Sequence, residues 1–153
     1  MKLKDNVYQI GGVDVLELTE KYGTPVYVYD ADKITTQYKR LTNAFKDVSV
    51  KIRYACKALT NQNILTILKN LGSGLDTVSI EEVKLGLKAG YTPDEIIFTP
   101  NGVSIAEINE ALALGVNINI DNISILEQFG NIHGGKVPIC IRINPHIMAG
   151  GNY

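Results

Sequence analysis

Apolar residues come in short bursts along this chain, and the bursts are nearly evenly spaced. Residues 25–29, 52–56, 75–78, 96–99, 116–120 and 139–143 are each rich in β-branched or other apolar side chains, the composition of buried strands. Most of the intervals between them carry helical periodicity instead. Leu65, Leu68 and Leu71 fall on one helical face. Val83, Leu85, Leu87 and Ala89 populate a helix-length segment ending at Gly90, and Ile108, Ala111, Leu112 and Leu114 one ending at Gly115. A glycine just past the last turn is the expected terminator. The helix starts are marked as well. Ser79-Ile80-Glu81-Glu82, Ser104-Ile105-Ala106-Glu107 and Ser124-Ile125-Leu126-Glu127 each fit the reciprocal serine–glutamate capping box.

Strands alternating with helices predict an α/β fold with a parallel sheet and right-handed crossovers. Two architectures use that alternation, the closed (β/α)8 barrel and the open doubly wound sheet. Regular spacing favours the barrel, and Tyr29-Asp30-Ala31-Asp32-Lys33 is no glycine-rich dinucleotide loop. Six units are visible, whereas a full barrel takes about 250 residues. The expectation is therefore an incomplete (β/α)8 TIM barrel over residues 25–153, part of a longer protein. Residues 1–24 form a separate N-terminal segment.

Composition narrows the classes. The 153 residues are 45% hydrophobic and 20% charged, with a formal net charge of -1. Nothing in that balance favours nucleic acid. No apolar run approaches the roughly 18 residues that span a bilayer, and the N-terminus lacks an apolar signal region, so the expected location is the cytoplasm. Cys56 and Cys140 lie in strand-like runs without metal spacing, which predicts two reduced, packed thiols and no metal site.

In a barrel, reactive groups collect at the C-terminal ends of the strands. That rim reads Lys57, then Asp76 and Ser79, Thr99 and Asn101, Asp121 and Asn122, and finally Arg142, Asn144 and His146. The serines have a sufficient role as caps, and Asp121 and Asn122 as turn formers. Lys57 ends Tyr54-Ala55-Cys56-Lys57. An amine walled by apolar neighbours is partly desolvated and freed to attack an aldehyde; a lysine snorkelling from a strand end is the plainer alternative. By alternation Lys51 and Arg53 share its side of the strand, unless a bulge resets the phase. Asp76 and Arg142, each beside apolar neighbours, call for partners, and they could satisfy each other.

Several segments match one family in order and spacing. They are Gly23-Thr24-Pro25 with Tyr27-Val28-Tyr29-Asp30, Tyr54-Ala55-Cys56-Lys57-Ala58-Leu59-Thr60-Asn61, Gly74-Leu75-Asp76-Thr77-Val78-Ser79, Ile97-Phe98-Thr99-Pro100-Asn101-Gly102 and Arg142-Ile143-Asn144-Pro145. In these the chain resembles the diaminopimelate decarboxylases, within the alanine-racemase-like (fold-type III) group of pyridoxal-phosphate enzymes. The resemblance implies decarboxylation of meso-2,6-diaminopimelate to L-lysine and carbon dioxide, in lysine biosynthesis. Lys57 would carry pyridoxal 5'-phosphate covalently, and Asp76 and Arg142 would line the cofactor pocket. Arg142 would bond the cofactor's phenolic oxygen or pair with Asp76. His146 stands where the family has glycine. The resemblance further implies a small-molecule amino-acid substrate, a homodimer and a C-terminal β-domain. The phosphate loop and substrate-binding groups would lie later in the chain. Residues 1–24 could then pack on or belong to that β-domain, and the 153 residues alone would be inactive. An ornithine or arginine decarboxylase, an amino-acid racemase and a non-enzymatic pyridoxal-phosphate-binding homeostasis protein share the fold and remain alternatives. So does a cofactor-free β/α protein.

Overall fold

The computed structural model describes residues 1–4 and 6–145. By contacts the chain divides into two compact units, 1–50 and 51–153. The first begins with an antiparallel meander of β1 (Lys2–Lys4), β2 (Val7–Ile10) and β3 (Val13–Asp14). Helix α1 (Val15–Tyr22) follows with Asp14 as its cap, its carboxylate accepting the Leu16 N–H at 2.8 Å. Helix α2 (Ala31–Ala44) is capped the same way by Asp30.

The second unit holds the β/α alternation. Strands β4 (Arg53–Ala55), β5 (Gly74–Thr77), β6 (Ile96–Phe98), β7 (Asn117–Ile120) and β8 (Cys140–Ile141) form one parallel sheet in sequence order. Between them run α3 (Gln62–Asn70), α4 (Ile80–Lys88), α5 (Ile105–Ala113) and α6 (Ile123–His133). Five parallel strands are present among the described residues, where the sequence pattern predicted six. Residues 26–30 make no ladder, and Tyr27 is 89% exposed. β-branched composition creates a strand only where a neighbour accepts its backbone bonds.

Burial alternates cleanly along the sheet. Leu75, Thr77, Ile96, Phe98, Ile118 and Ile120 are buried, whereas Asp76, Ile97 and Asn119 are only half-buried. The first set faces the helices, and its apolar members join Leu65, Val83, Ile108, Ala111 and Phe129 in one core. Each such side chain contributes about 1.5 to 3 kcal/mol by leaving water. The second set lies on the opposite face. Gly86 sets how close α4 comes, since a Cβ there would stand 2.5 Å from Leu75 Cδ2 and 3.1 Å from Ile96 Cδ1. The stripe α4 buries is thus Ile80, Val83 and Gly86, with Leu85 and Leu87 at its margin.

The helix ends mostly follow the sequence signals. After α3 and α4, Gly72 and Gly90 take positive φ, and paired bonds close the last turn, such as Tyr91 N–H to Gly86 C=O at 3.1 Å. That is the Schellman arrangement. Ser104 and Glu107 form the full capping box of α5. Ser79 caps α4, but Glu82 reaches one residue further back to the Val78 N–H, at 2.8 Å. The third box is not used. Asn122 caps α6, accepting from the Ser124 and Ile125 N–H groups, so Ser124 lies inside the helix. An asparagine satisfies the same orphan donors as a serine, and here it comes first.

Candidate functional site

Strand register places the chemistry. Ala55, Asp76, Ile97 and Asn117 form one row across β4 to β7. The next row towards the C-terminal ends holds Val78, Thr99, Asn119 and Cys140, since Asn119 pairs with Cys140 and the Thr99 N–H bonds Thr77 O at 2.7 Å. Parallel neighbours in register point the same way, so these rows occupy the face that the helices leave open. Arg142 is two residues beyond Cys140, and its N–H bonds Ile120 O at 2.9 Å. The ladder therefore continues to Arg142 and sets it on this face, one row higher.

Lys57 sits in a single 3-10 turn, Cys56–Ala58, that follows β4 directly. This answers the phase problem posed by Lys51 and Arg53. Arg53 opens the strand at its N-terminal end, opposite Gly74, where a Cβ would meet Arg53 Cγ at 2.8 Å. The strand then stops at Ala55, so alternation does not carry from Arg53 to Lys57. The Lys57 side chain is exposed, and the apolar wall expected around it is not met within the described residues. A wall needs strands on both sides, and β4 has one ladder neighbour, β5.

Beside Lys57, the Cys56 thiol is fully buried, and its pKa is pushed up to about 11. Burial is the largest cause, followed by the negative charges of Glu82 and Asp76. Cys56 is therefore a neutral packing thiol, as expected. Cys140 is not packed but exposed, because β8 ends the described sheet and consists of two residues.

Asp76 is half-buried and Arg142 exposed, so neither is the sealed charge that their apolar neighbours suggested. No ion pair joins them; their strands are three spacings apart, about 14 Å in a flat sheet. The structure thus brings Asp76 near the Lys57 turn and sets Arg142 at the far side of the same face. Asp121 and Asn122, both exposed, line a cavity of about 20 Å³ with Asn119 between the loops after β6 and β7. His146 lies outside the described residues.

Two residues escaped the sequence reading. Glu82 was visible only as a cap, yet it is the charge nearest in effect to Cys56 after burial itself. Asn119 was hidden in a run read as apolar; the alternation Asn117-Ile118-Asn119-Ile120 was the signal for a two-faced strand. Its Nδ2 donates to Thr99 Oγ1 at 3.0 Å, while its buried Oδ1 has no partner among the described residues. A primary amine and a guanidinium at one end of a parallel sheet fit the aldehyde and an anionic oxygen of pyridoxal phosphate. The amine suits the carbonyl carbon and the guanidinium an anionic oxygen.

Comparison with known proteins points to the same cofactor. Residues 31–152 match the family described as pyridoxal-dependent decarboxylase, pyridoxal binding domain. A diaminopimelate decarboxylase from Methanothermobacter thermautotrophicus is 43% identical over 92% of this chain. Among solved structures, diaminopimelate decarboxylase from Helicobacter pylori, complexed with L-lysine, superposes with a TM-score of 0.78 at 40% identity over 88% of this chain and 35% of that one. The M. jannaschii enzyme with L-lysine gives 0.85 at 31% identity, covering 95% of this chain and 36% of that one. The chain spans 33% of the length of the Methanothermobacter relative. On sequence and on fold alike, this chain belongs to the pyridoxal-dependent decarboxylases, residues 31–152 matching their pyridoxal-binding domain.

Proposed function

We propose that the chain acts as the cofactor-bearing part of a longer diaminopimelate decarboxylase, converting meso-2,6-diaminopimelate to L-lysine and carbon dioxide. The observation that carries this is Lys57, standing at the C-terminal end of β4 on the sheet whose open face holds Asp76 and Arg142. The 43% identity to a diaminopimelate decarboxylase over nearly the whole chain favours that substrate.

Bound pyridoxal phosphate supplies an electron-withdrawing ring that holds the electron pair left as carbon dioxide departs. Lys57 offers the primary amine that carries it. Cys56, next in sequence, stays a neutral thiol because its pKa stands at about 11, so it does not compete for the aldehyde carbon. Asp76 and Glu82 keep the floor beside Lys57 negative. Arg142 brings the opposite charge to the far side of the same face, where it would hold an anionic oxygen of the cofactor. Residues 25–153 would belong to a pyridoxal-binding barrel. Residues 1–24, whose antiparallel meander departs from the β/α repeat, would belong with a C-terminal β-domain. A homodimer in the cytoplasm is the assembly this reading carries. Among the described residues no helix is long and apolar enough to cross a membrane.

The test uses the full-length protein loaded with pyridoxal phosphate. Borohydride reduction and peptide mapping should place the cofactor on the Lys57 peptide, and meso-diaminopimelate should release carbon dioxide and lysine. Label on another lysine would refute the cofactor assignment. Turnover of ornithine with none of diaminopimelate would refute the substrate assignment.

A further inference from the structure

The side-chain amide of Asn119 has one end fixed and one end unmet. Its Nδ2 donates to Thr99 Oγ1 on β6 at 3.0 Å. The oxygen and nitrogen of an amide diverge, so a donor for Oδ1 has to come from a side chain other than Thr99. That oxygen is buried and, among the described residues, without a hydrogen-bond partner, which is rarely tolerated unless a donor arrives. On β8 two side chains share the open face: Cys140, the register partner of Asn119, and Arg142, two residues on. A thiol is a weak donor, whereas a guanidinium carries five N–H donors and no acceptor. Strand spacing and a two-residue rise put Asn119 and Arg142 about 8 Å apart at Cα, a diagonal that long side chains cross.

We propose that Asn119 is a positioning residue for Arg142, its Oδ1 accepting from the guanidinium and aiming it at the cofactor. Thr99 Oγ1 locks the amide so that its oxygen, not its nitrogen, faces the arginine. The inference rests on the assignment of Arg142 to the cofactor pocket. It adds a relay from β6 through β7 to β8 that holds an otherwise exposed side chain in one direction.

The experiment is a double-mutant cycle on the full-length protein, read as pyridoxal phosphate affinity from visible absorbance at equilibrium. Asn119→Ala should weaken affinity about tenfold, the loss expected for one hydrogen bond to a charged group. In an Arg142→Ala background the same change should cost almost nothing, because the group it positions is gone. Asn119→Asp, which keeps an oxygen towards Arg142 and can accept from the Thr99 hydroxyl, should restore affinity. A purely structural amide predicts the reverse order, with a buried carboxylate worse than alanine. Equal losses in both backgrounds, or no rescue by aspartate, would overturn the relay while leaving Arg142 in the pocket. If Arg142→Ala alone left affinity unchanged, the pocket assignment of Arg142 would fall, and the relay with it. Thr99→Val, which frees the amide to flip, is a second variant and should weaken affinity in the same direction.

Discussion

Adjacent residues in this chain have opposite fates. Cys56 is fully buried and Lys57 exposed, because β4 ends at Ala55 and a 3-10 turn rotates the two side chains apart. The thiol's raised pKa has a consequence for stability. Its ordinary value is 9.0 and its folded value about 11, so the folded state holds the proton more tightly. The stabilisation is complete below about pH 9 and is lost as pH rises to 11; integrated, it amounts to roughly 2 to 3 kcal/mol. Denaturant titrations at pH 8 and pH 10.5 should therefore show a smaller loss in Cys56→Ala than in the parent. Identical pH slopes would mean that the thiol does not titrate across the transition. The identity of Lys57 as the candidate amine was legible in Tyr54-Ala55-Cys56-Lys57. Its exposure was not, because burial depends on strands that lie elsewhere in sequence. Asp76 and Arg142 were legible as charges beside apolar residues, but their separation by three strand spacings was not.

Among the elements, α4 and α6 show what local signals settle. Both begin near a serine followed three residues later by glutamate, and only α4 uses the serine. In α6 the earlier Asn122 takes both free N–H groups. Removing it by Asn122→Ala should cost about 1 kcal/mol, while Ser124→Ala should stay within about 0.5 kcal/mol; urea midpoints of the two variants decide between the caps. The packing of α4 is the less legible part. A glycine in mid-helix is a poor helix former, and its presence at position 86 reads as a fault until Leu75 and Ile96 are seen against it. Gly86→Ala should lose about 1 to 3 kcal/mol through overpacking, despite the better helix propensity of alanine. A more stable variant would show that the contact relaxes freely.

At the scale of the whole molecule, stability and cofactor binding are coupled. A ligand that binds only the folded state stabilises it by RT ln(1 + [L]/Kd), about 2.7 kcal/mol at a hundredfold excess over Kd. Pyridoxal phosphate should accordingly raise the thermal midpoint of the full-length protein. In Lys57→Ala the rise should shrink, while the cofactor-free midpoint stays put, because an exposed side chain in a turn contributes little to the fold. A large fall in that cofactor-free midpoint would instead give Lys57 a structural role.

The sequence by itself determined the β/α order, the glycine stops, two of three serine caps and the end of the sheet at which Lys57, Asp76 and Arg142 lie. Those features depend on residues within a few positions of one another, where propensity, periodicity and capping act. Only the tertiary structure decided which apolar run became a strand, which thiol was sealed and which face stayed open. It alone revealed that Asn119 bonds Thr99 and shares an open face with Arg142. Each of those outcomes depends on a neighbour roughly twenty residues away, and such a neighbour is chosen by backbone pairing across strands.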